Sequence, residues 1–326
     1  MSLLAPLLAV DKLTVGFPGH TAVHESSFAI EAGETLALVG ESGCGKSVTA
    51  FSVMRLLPPN AQVQSGRILF DGLDLLTKTP AEMRDIRGKQ ISLIQQEPMT
   101  SLNPVLSIGV QIMEVIRRHE KVSRKQARAR AIELLDLVSI PDAHRRVDDY
   151  PHNLSGGMRQ RVMIAMAVAC GPKLLIADEP TTALDVTTQA QVLDLLDDLR
   201  HRLKMAVLLI THDLGVVAQW ADRIAVMYAG RIVEKADIKP FFAEPLHPYS
   251  RGLLGARVDV DTEEHYLTDR LTEIPGSVGS AAAEAGCPFA PRCPIVVPGC
   301  RLAPPALIVQ GERAVACPRV RVSVTA

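Results

Sequence analysis

Eight consecutive residues, Gly40-Glu41-Ser42-Gly43-Cys44-Gly45-Lys46-Ser47, follow the pattern G-x-x-x-x-G-K-[ST]. Glycines at this spacing let the backbone close around an anion, so that successive N–H groups and a helix N-terminus point at phosphate oxygens. Lys46 adds a cation for the β- and γ-phosphates and Ser47 offers a hydroxyl to Mg²⁺; Val48, next along the helix, is counted with them as a nucleotide-binding position. The apolar run Thr35–Val39 before the loop reads as a buried strand and Ser47–Leu57 after it as a helix, the context such a loop requires. A glycine-rich turn that binds nothing has no need of Lys-Ser at this offset.

A second run, Leu174-Leu175-Ile176-Ala177, reads as a strand ending in Asp178 and Glu179. Asp178 stands where a strand delivers a carboxylate toward Mg²⁺, and Glu179 lies at the C-terminal edge of the sheet, where ligands of α/β folds bind. An acidic pair after a strand is also an ordinary helix cap, and Lys46-Ser47 upstream favours the metal reading. Ser155-Gly156-Gly157 opens a helix-like run. Ser155 reads either as a plain N-cap or, with the glycines, as a second anion site.

The elements that must hold these residues fall into blocks. Short strands are expected at Lys12–Phe17, Ser27–Ile30, Thr35–Val39, Arg67–Phe70 and Gln90–Ile94, punctuated by Gly, Pro and Asp. Helical periodicity marks Ile108–Arg118, Ser123–Val138 and Gly156–Cys170. Strands at Lys173–Ala177, Ala206–Ile210 and Arg223–Met227 then alternate with helices at Val186–Arg202 and Asp213–Gln219, which implies a parallel sheet with right-handed crossovers. From about residue 256 periodicity is lost, and a domain boundary is placed there.

Bulk composition narrows the function classes. The chain has 326 residues, 47% apolar, enough for a sizeable core, and a net charge of −1 that implies no pull toward nucleic acid. No apolar run approaches the roughly 20 residues of a membrane span. Leu3–Leu8 lacks a positive flank and is broken by Pro6, a poor signal peptide. The chain reads as cytoplasmic, where its six cysteines are not expected to form structural disulfides.

The set Gly40–Ser47, Gln96, Leu154–Met158, Asp178-Glu179, Ala183-Leu184-Asp185 and His212 resembles the nucleotide-binding subunits of ABC transporters over residues 8–255. The resemblance implies an α/β P-loop NTPase of ABC type with an N-terminal antiparallel β-subdomain, a helical subdomain near 97–170 and a Cys-containing extension over 256–326. It implies that Ser155, Gly156 and Gly157 complete the ATP site of a partner subunit. Met158 stands where the family most often has Gln, a departure that leaves Ser155 and both glycines in place. Gln96, favoured over Gln95 by the following Glu97-Pro98, is assigned to Mg²⁺ and the attacking water. Glu179 is the general base, His212 a γ-phosphate partner, and Asp185 a brace at the dimer interface. Phe17 resembles the aromatic on which adenine stacks, although a lone Phe in a strand is equally a core residue.

A narrower resemblance, to the dipeptide/oligopeptide/nickel importer ATPases, rests on Pro98–Pro104, Glu179–Thr187, His247-Pro248-Tyr249 and Gly286–Pro294. It implies two transmembrane permease subunits, a second and unlike ABC ATPase, an external solute-binding protein, no nucleic-acid partner, and a peripheral position on the cytoplasmic face of the inner membrane. Peptide is preferred over nickel or another small solute by similarity alone. A soluble ABC ATPase acting on DNA or ribosomes is opposed by the single nucleotide domain and the lack of a basic stripe. A metal-sensing regulator would not need Gln96, Ser155–Gly157 and Glu179 together.

Cys287, Cys293, Cys300 and Cys317 follow C-x₅-C-x₆-C-x₁₆-C, apart from Cys44 and Cys170. Spacing alone leaves Zn²⁺, an iron–sulfur cluster and no metal open, because neither zinc knuckles nor ferredoxin spacings are matched. The importer resemblance points to a [4Fe–4S] cluster, with Zn²⁺ as the alternative, stapling a tail expected to have little core of its own.

Overall fold

The computed structural model describes residues 5–95, 101–182, 184–256, 274–277 and 284–320. An antiparallel sheet forms first, from β1 (Leu8–Phe17), β2 (His20–Ile30), β4 (Gln62–Phe70) and β5 (Leu73–Asp74), in the order β2-β1-β4-β5. Strand β1 starts earlier than its alternation from Lys12 suggests. Leu8 and Val10 point into the core and pair with Ile30 and Phe28, extending the period-2 pattern into the apolar segment before it.

The second sheet carries the site. Its parallel part is β9-β3-β8-β7-β6, where β3 is Thr35–Val39, β6 Ile91–Ile94, β7 Leu174–Asp178, β8 Ala206–Thr211 and β9 Arg223–Tyr228. Every residue of β3, β7 and β8 is buried, as expected of strands covered on both faces. Strand β10 (Arg231–Asp237) adds antiparallel to β9. Helix α1 (Lys46–Met54) leaves β3 through the glycine loop and stops short of Leu57, because Arg55 turns into the left-handed region at φ 49° and Pro58-Pro59 follow.

Helix α2 (Pro80–Ile86) opens on a Thr79/Glu82 capping box. The helical region comprises α3 (Ile108–His119), α4 (Arg124–Leu137), α5 (Ala143–Arg146) and α6 (Gly156–Val168). Ile108, Ile112, Ile116, Ala131 and Leu135 join one core with Leu175 and Ala177 of β7, so this region is packed onto the sheet. Helices α7 (Val186–Leu203), α8 (Leu214–Trp220), α9 (Ile238–Ala243) and α10 (Pro248–Gly255) complete the order.

The C-terminal segment departs from expectation. Instead of depending on its cysteines alone, it adds β11 (Ile308–Gln310) and β12 (Arg313–Val315) to the large sheet, β12 pairing with β10 at Glu234↔Val315. Phe289 is buried at 2% exposure, 5.2 Å edge-on from the Tyr228 ring and 5.4 Å from that of Tyr249. Burying such a side chain contributes roughly 1.5–3 kcal/mol. Glu234, wholly buried, accepts from the Leu246 and His247 N–H groups at 2.9 and 2.8 Å and pairs with Arg313 of β12 at 3.5 Å, so its charge has partners on both sides of the joint.

Candidate functional site

The phosphate loop sits at the C-terminal end of β3, held by close backbone approach. A Cβ on Gly40 would lie 2.1 Å from the Met227 carbonyl oxygen. Gly45 has φ +106°, and a Cβ there would meet the Ala22 carbonyl oxygen at 2.8 Å. Neither place admits another residue without moving a strand. Lys46 is buried, and its Nζ donates to the Gly40 and Glu41 carbonyl oxygens at 2.7 and 3.1 Å. Ser42 and Gly43 are exposed at the tip, Cys44 is buried, and Val48 packs partly into the core. Burial raises the Cys44 thiol above its usual range.

Beside this loop, at the end of β7, Asp178 is 4% exposed and hydrogen-bonded to the Ser47 side chain. Its Oδ1 is buried without a hydrogen-bond partner. Burial raises its carboxyl above the usual range, and the Ser47 bond works against that shift. An orphaned carboxylate oxygen next to a serine hydroxyl and a lysine is an oxygen-rich corner that suits Mg²⁺. Glu179 follows in the left-handed region at φ +47°, rare for a residue with a side chain. Its Oε2 accepts from Thr182 Oγ1 at 2.8 Å, and its Oε1 lies 3.4 Å from His212 Nδ1.

Ser155 does serve as an N-cap, its Oγ accepting from the Met158 N–H at 3.3 Å at the start of α6. Ser155 and Gly156 are exposed there, and a Cβ on Gly157 would meet Thr188 Cγ2 at 2.7 Å. Asp185 caps α7 by accepting from the Thr188 N–H at 2.9 Å. Phe17 is half-buried, not core, and stacks on His20 across the β1–β2 turn with centroids 5.2 Å apart. A groove of about 540 Å³ runs between His20, Ser42, Gly43 and Arg231 on one side and Gly286 and Pro288 of the tail on the other. Gln96 and Ala183 lie outside the described residues.

The four tail cysteines come together without forming an ion-sized site. Cys287, Cys293, Cys300 and Cys317 line one cavity of about 120 Å³ with His247. Burial raises the thiols of Cys287, Cys293 and Cys317, and neighbouring thiols add to the shift. Among the described residues no group of three or more His, Cys, Asp or Glu side chains is gathered closely enough to hold a metal ion.

One set of functional contacts escaped the sequence reading. Arg292 makes a two-pronged ion pair with Glu41 of the phosphate loop, at 2.7 and 2.9 Å, and the Tyr249 hydroxyl accepts from the Glu41 N–H at 2.9 Å. Both residues stand in segments singled out by motif, but nothing in one dimension ties them to residue 41.

Residues 23–182 match the model of the ABC transporter family, and residues 233–300 match the oligopeptide/dipeptide transporter C-terminal region. A peptide import ATP-binding protein of Brucella abortus is 51% identical over 96% of this chain and 95% of its own. The dipeptide transport ATP-binding protein DppD of Bacillus subtilis is 52% identical over 88% and 87%. Among solved structures, the ATP-binding cassette MJ0796 bound to ADP and Pi superposes with a TM-score of 0.63 at 26% identity, covering 71% of this chain and 98% of that one. CbiO1 from Clostridium perfringens gives 0.66 at 28%, covering 74% and 92%. The chain belongs to the ABC transporter ATPases. Within them it carries the oligopeptide/dipeptide type of C-terminal region. Among the described residues no helix is long and apolar enough to cross a membrane.

Proposed function

We propose that this chain is the ATP-hydrolysing subunit of a peptide importer, acting peripherally on the cytoplasmic face of the inner membrane. Residues 1–255 form the nucleotide-binding domain, with the helical subdomain near 97–170, and residues 256–326 form the extension. The observation that carries the reading is the meeting of Lys46, Ser47 and the unpartnered Asp178 oxygen at the ends of β3 and β7. Gly40, Glu41, Ser42, Gly43, Cys44, Gly45, Lys46, Ser47 and Val48 wrap the triphosphate. Phe17 stacks the base at the groove beside His20. Ser47 and Asp178, joined by Gln96 on motif alone, would hold Mg²⁺, which neutralises phosphate charge when bound. Glu179 takes a proton from the attacking water, with His212 orienting it and reaching toward the γ-phosphate.

Ser155 and Gly156 are exposed and Gly157 is half-buried at a helix N-terminus, and they serve the site of a second ATPase, so hydrolysis needs a head-to-tail pair. The relatives named for peptide and dipeptide transport supply the substrate class, and with it two permeases and an outside binding protein. Cys287, Cys293, Cys300 and Cys317 would hold a [4Fe–4S] cluster of structural role. Zn²⁺ is the alternative, since the four thiols line one cavity and thiolates ligate either metal.

The test is purification of the tagged chain from membranes. Two multi-span permeases and an unlike ATPase should co-purify, and peptide uptake should cease when the chain is deleted. Uptake unchanged by deletion, or two copies of this chain as the only ATPase, would contradict the importer reading or the unlike pair respectively.

A further inference from the structure

We propose that Arg292 is a positioning residue for the phosphate loop, acting through Glu41 and tying the loop's shape to the turn between Cys287 and Cys293. The proposal rests on Gly40–Ser47 being the ATP site. The Arg292 side chain is 4% exposed and that of Glu41 27%. The guanidinium is held from behind, its Nε donating to the Pro275 carbonyl oxygen at 2.7 Å and Nη2 to that of Ile274 at 3.1 Å. It stands 5.7 Å from the centre of the Tyr228 ring. With so many fixed partners it presents its fork to Glu41 at little further entropic cost.

Glu41 is gripped twice, at its carboxylate by Arg292 and at its N–H by the Tyr249 hydroxyl. Its carbonyl oxygen in turn accepts from Lys46 Nζ at 3.1 Å. Arg292 therefore reaches the phosphate-facing lysine through one intervening residue. It also neutralises a carboxylate within the loop that is to hold a triphosphate, where an unpaired like charge weakens binding. Docking of the tail does not depend on this pair, because Phe289 and β12 anchor the segment independently. Within the tail, Arg292 sits in a turn where the Ala290 N–H donates to the Cys287 carbonyl oxygen at 2.9 Å and the Cys293 N–H to that of Ala290 at 3.4 Å. The geometry of the thiol cavity is thereby carried to the loop.

The experiment titrates the purified full-length chain with Mg-ATP and measures KM and kcat in the permease complex, for wild type, Arg292→Ala, Arg292→Lys, Glu41→Gln and the Arg292→Ala/Glu41→Gln double variant. Arg292→Ala should raise Kd and KM about tenfold with kcat nearly unchanged, the signature of binding lost equally from ground and transition states. Arg292→Lys should fall between, since it keeps the charge and loses the fork. The double variant should be no weaker than Arg292→Ala alone, because the two residues act as one unit. Unchanged affinity in Arg292→Ala, or additive losses in the double variant, would overturn the positioning role. Wild-type protein that fails to bind ATP would instead overturn the site assignment beneath it.

Discussion

His212 Nδ1 lies 3.4 Å from Glu179 Oε1, a contact made by sheet register. Strands β7 and β8 run parallel with Asp178 opposite Ile210, so the residues just past each strand end emerge side by side. Glu179 is bonded further by Thr182 Oγ1 at 2.8 Å, and its charge is felt by Asp178, which is hydrogen-bonded to Ser47.

Glu179→Gln should leave ATP binding intact and nearly abolish turnover. The amide keeps the shape but cannot take the water's proton, a step worth about 10²–10⁴-fold. ATP should then trap a closed dimer, seen as a stable larger species on sizing columns. Near-normal hydrolysis in the permease-bound variant would remove Glu179 from the role of base.

Lys46→Ala should act earlier, on affinity itself. Its ammonium is buried among loop carbonyls, so the variant loses both the loop's internal bonds and the charge meant for the phosphates. Ser155→Arg should spare nucleotide binding by this chain and block closure over a partner's nucleotide. Equal binding defects in calorimetric titrations of the two variants would contradict a trans role for Ser155.

Anaerobically purified protein should be brown with about four irons per chain, the stoichiometry of the cluster. Cys→Ser at position 287, 293, 300 or 317 should bleach it, and Cys44→Ser should not. Because Arg292 shares its turn with Cys287 and Cys293, bleaching at Cys293 should also weaken ATP binding severalfold, by the coupling of residues in one bonded network. One zinc per chain would replace the cluster with an ion, and neither metal would leave four plain thiols.

Stability should fall as the medium turns acidic, through His247. The ring is 1% exposed, and its Nδ1 accepts from the Tyr249 N–H at 3.1 Å. Burial depresses its pKa from 6.5 to about 3. Between those values the unfolded chain takes up a proton that the native chain refuses. The contribution is therefore full above 6.5 and is lost as pH falls toward 3. The slope approaches about 1.4 kcal/mol per pH unit. Urea midpoints measured at neutral and mildly acidic pH should converge in His247→Asn, and an unchanged slope in that variant would assign the acid sensitivity elsewhere.

Much of the site was readable in one dimension because its chemistry is contiguous. A phosphate cradle is built from successive N–H groups, so Gly40–Ser47 carries its own geometry, and the strand before it is a fully buried apolar run. The acids Asp178-Glu179 were readable for the same reason, at the end of a strand whose side chains are all buried. The tail was not. Strands β11 and β12 have only three residues each, too short for alternation to register, and their partner β10 lies in the preceding segment.

Sequence by itself determined the loop, the acids, the capped helix at Ser155 and the four thiols, since each is a local pattern of residue types. Only the tertiary structure decided that Asp178 meets Ser47, that the thiols surround one cavity, and that Arg292 closes on Glu41 across 251 positions. An ion pair leaves no periodicity along the chain. Its partners are selected by the sheet and by the burial of Phe289 against Tyr228 and Tyr249, which set the tail against the loop.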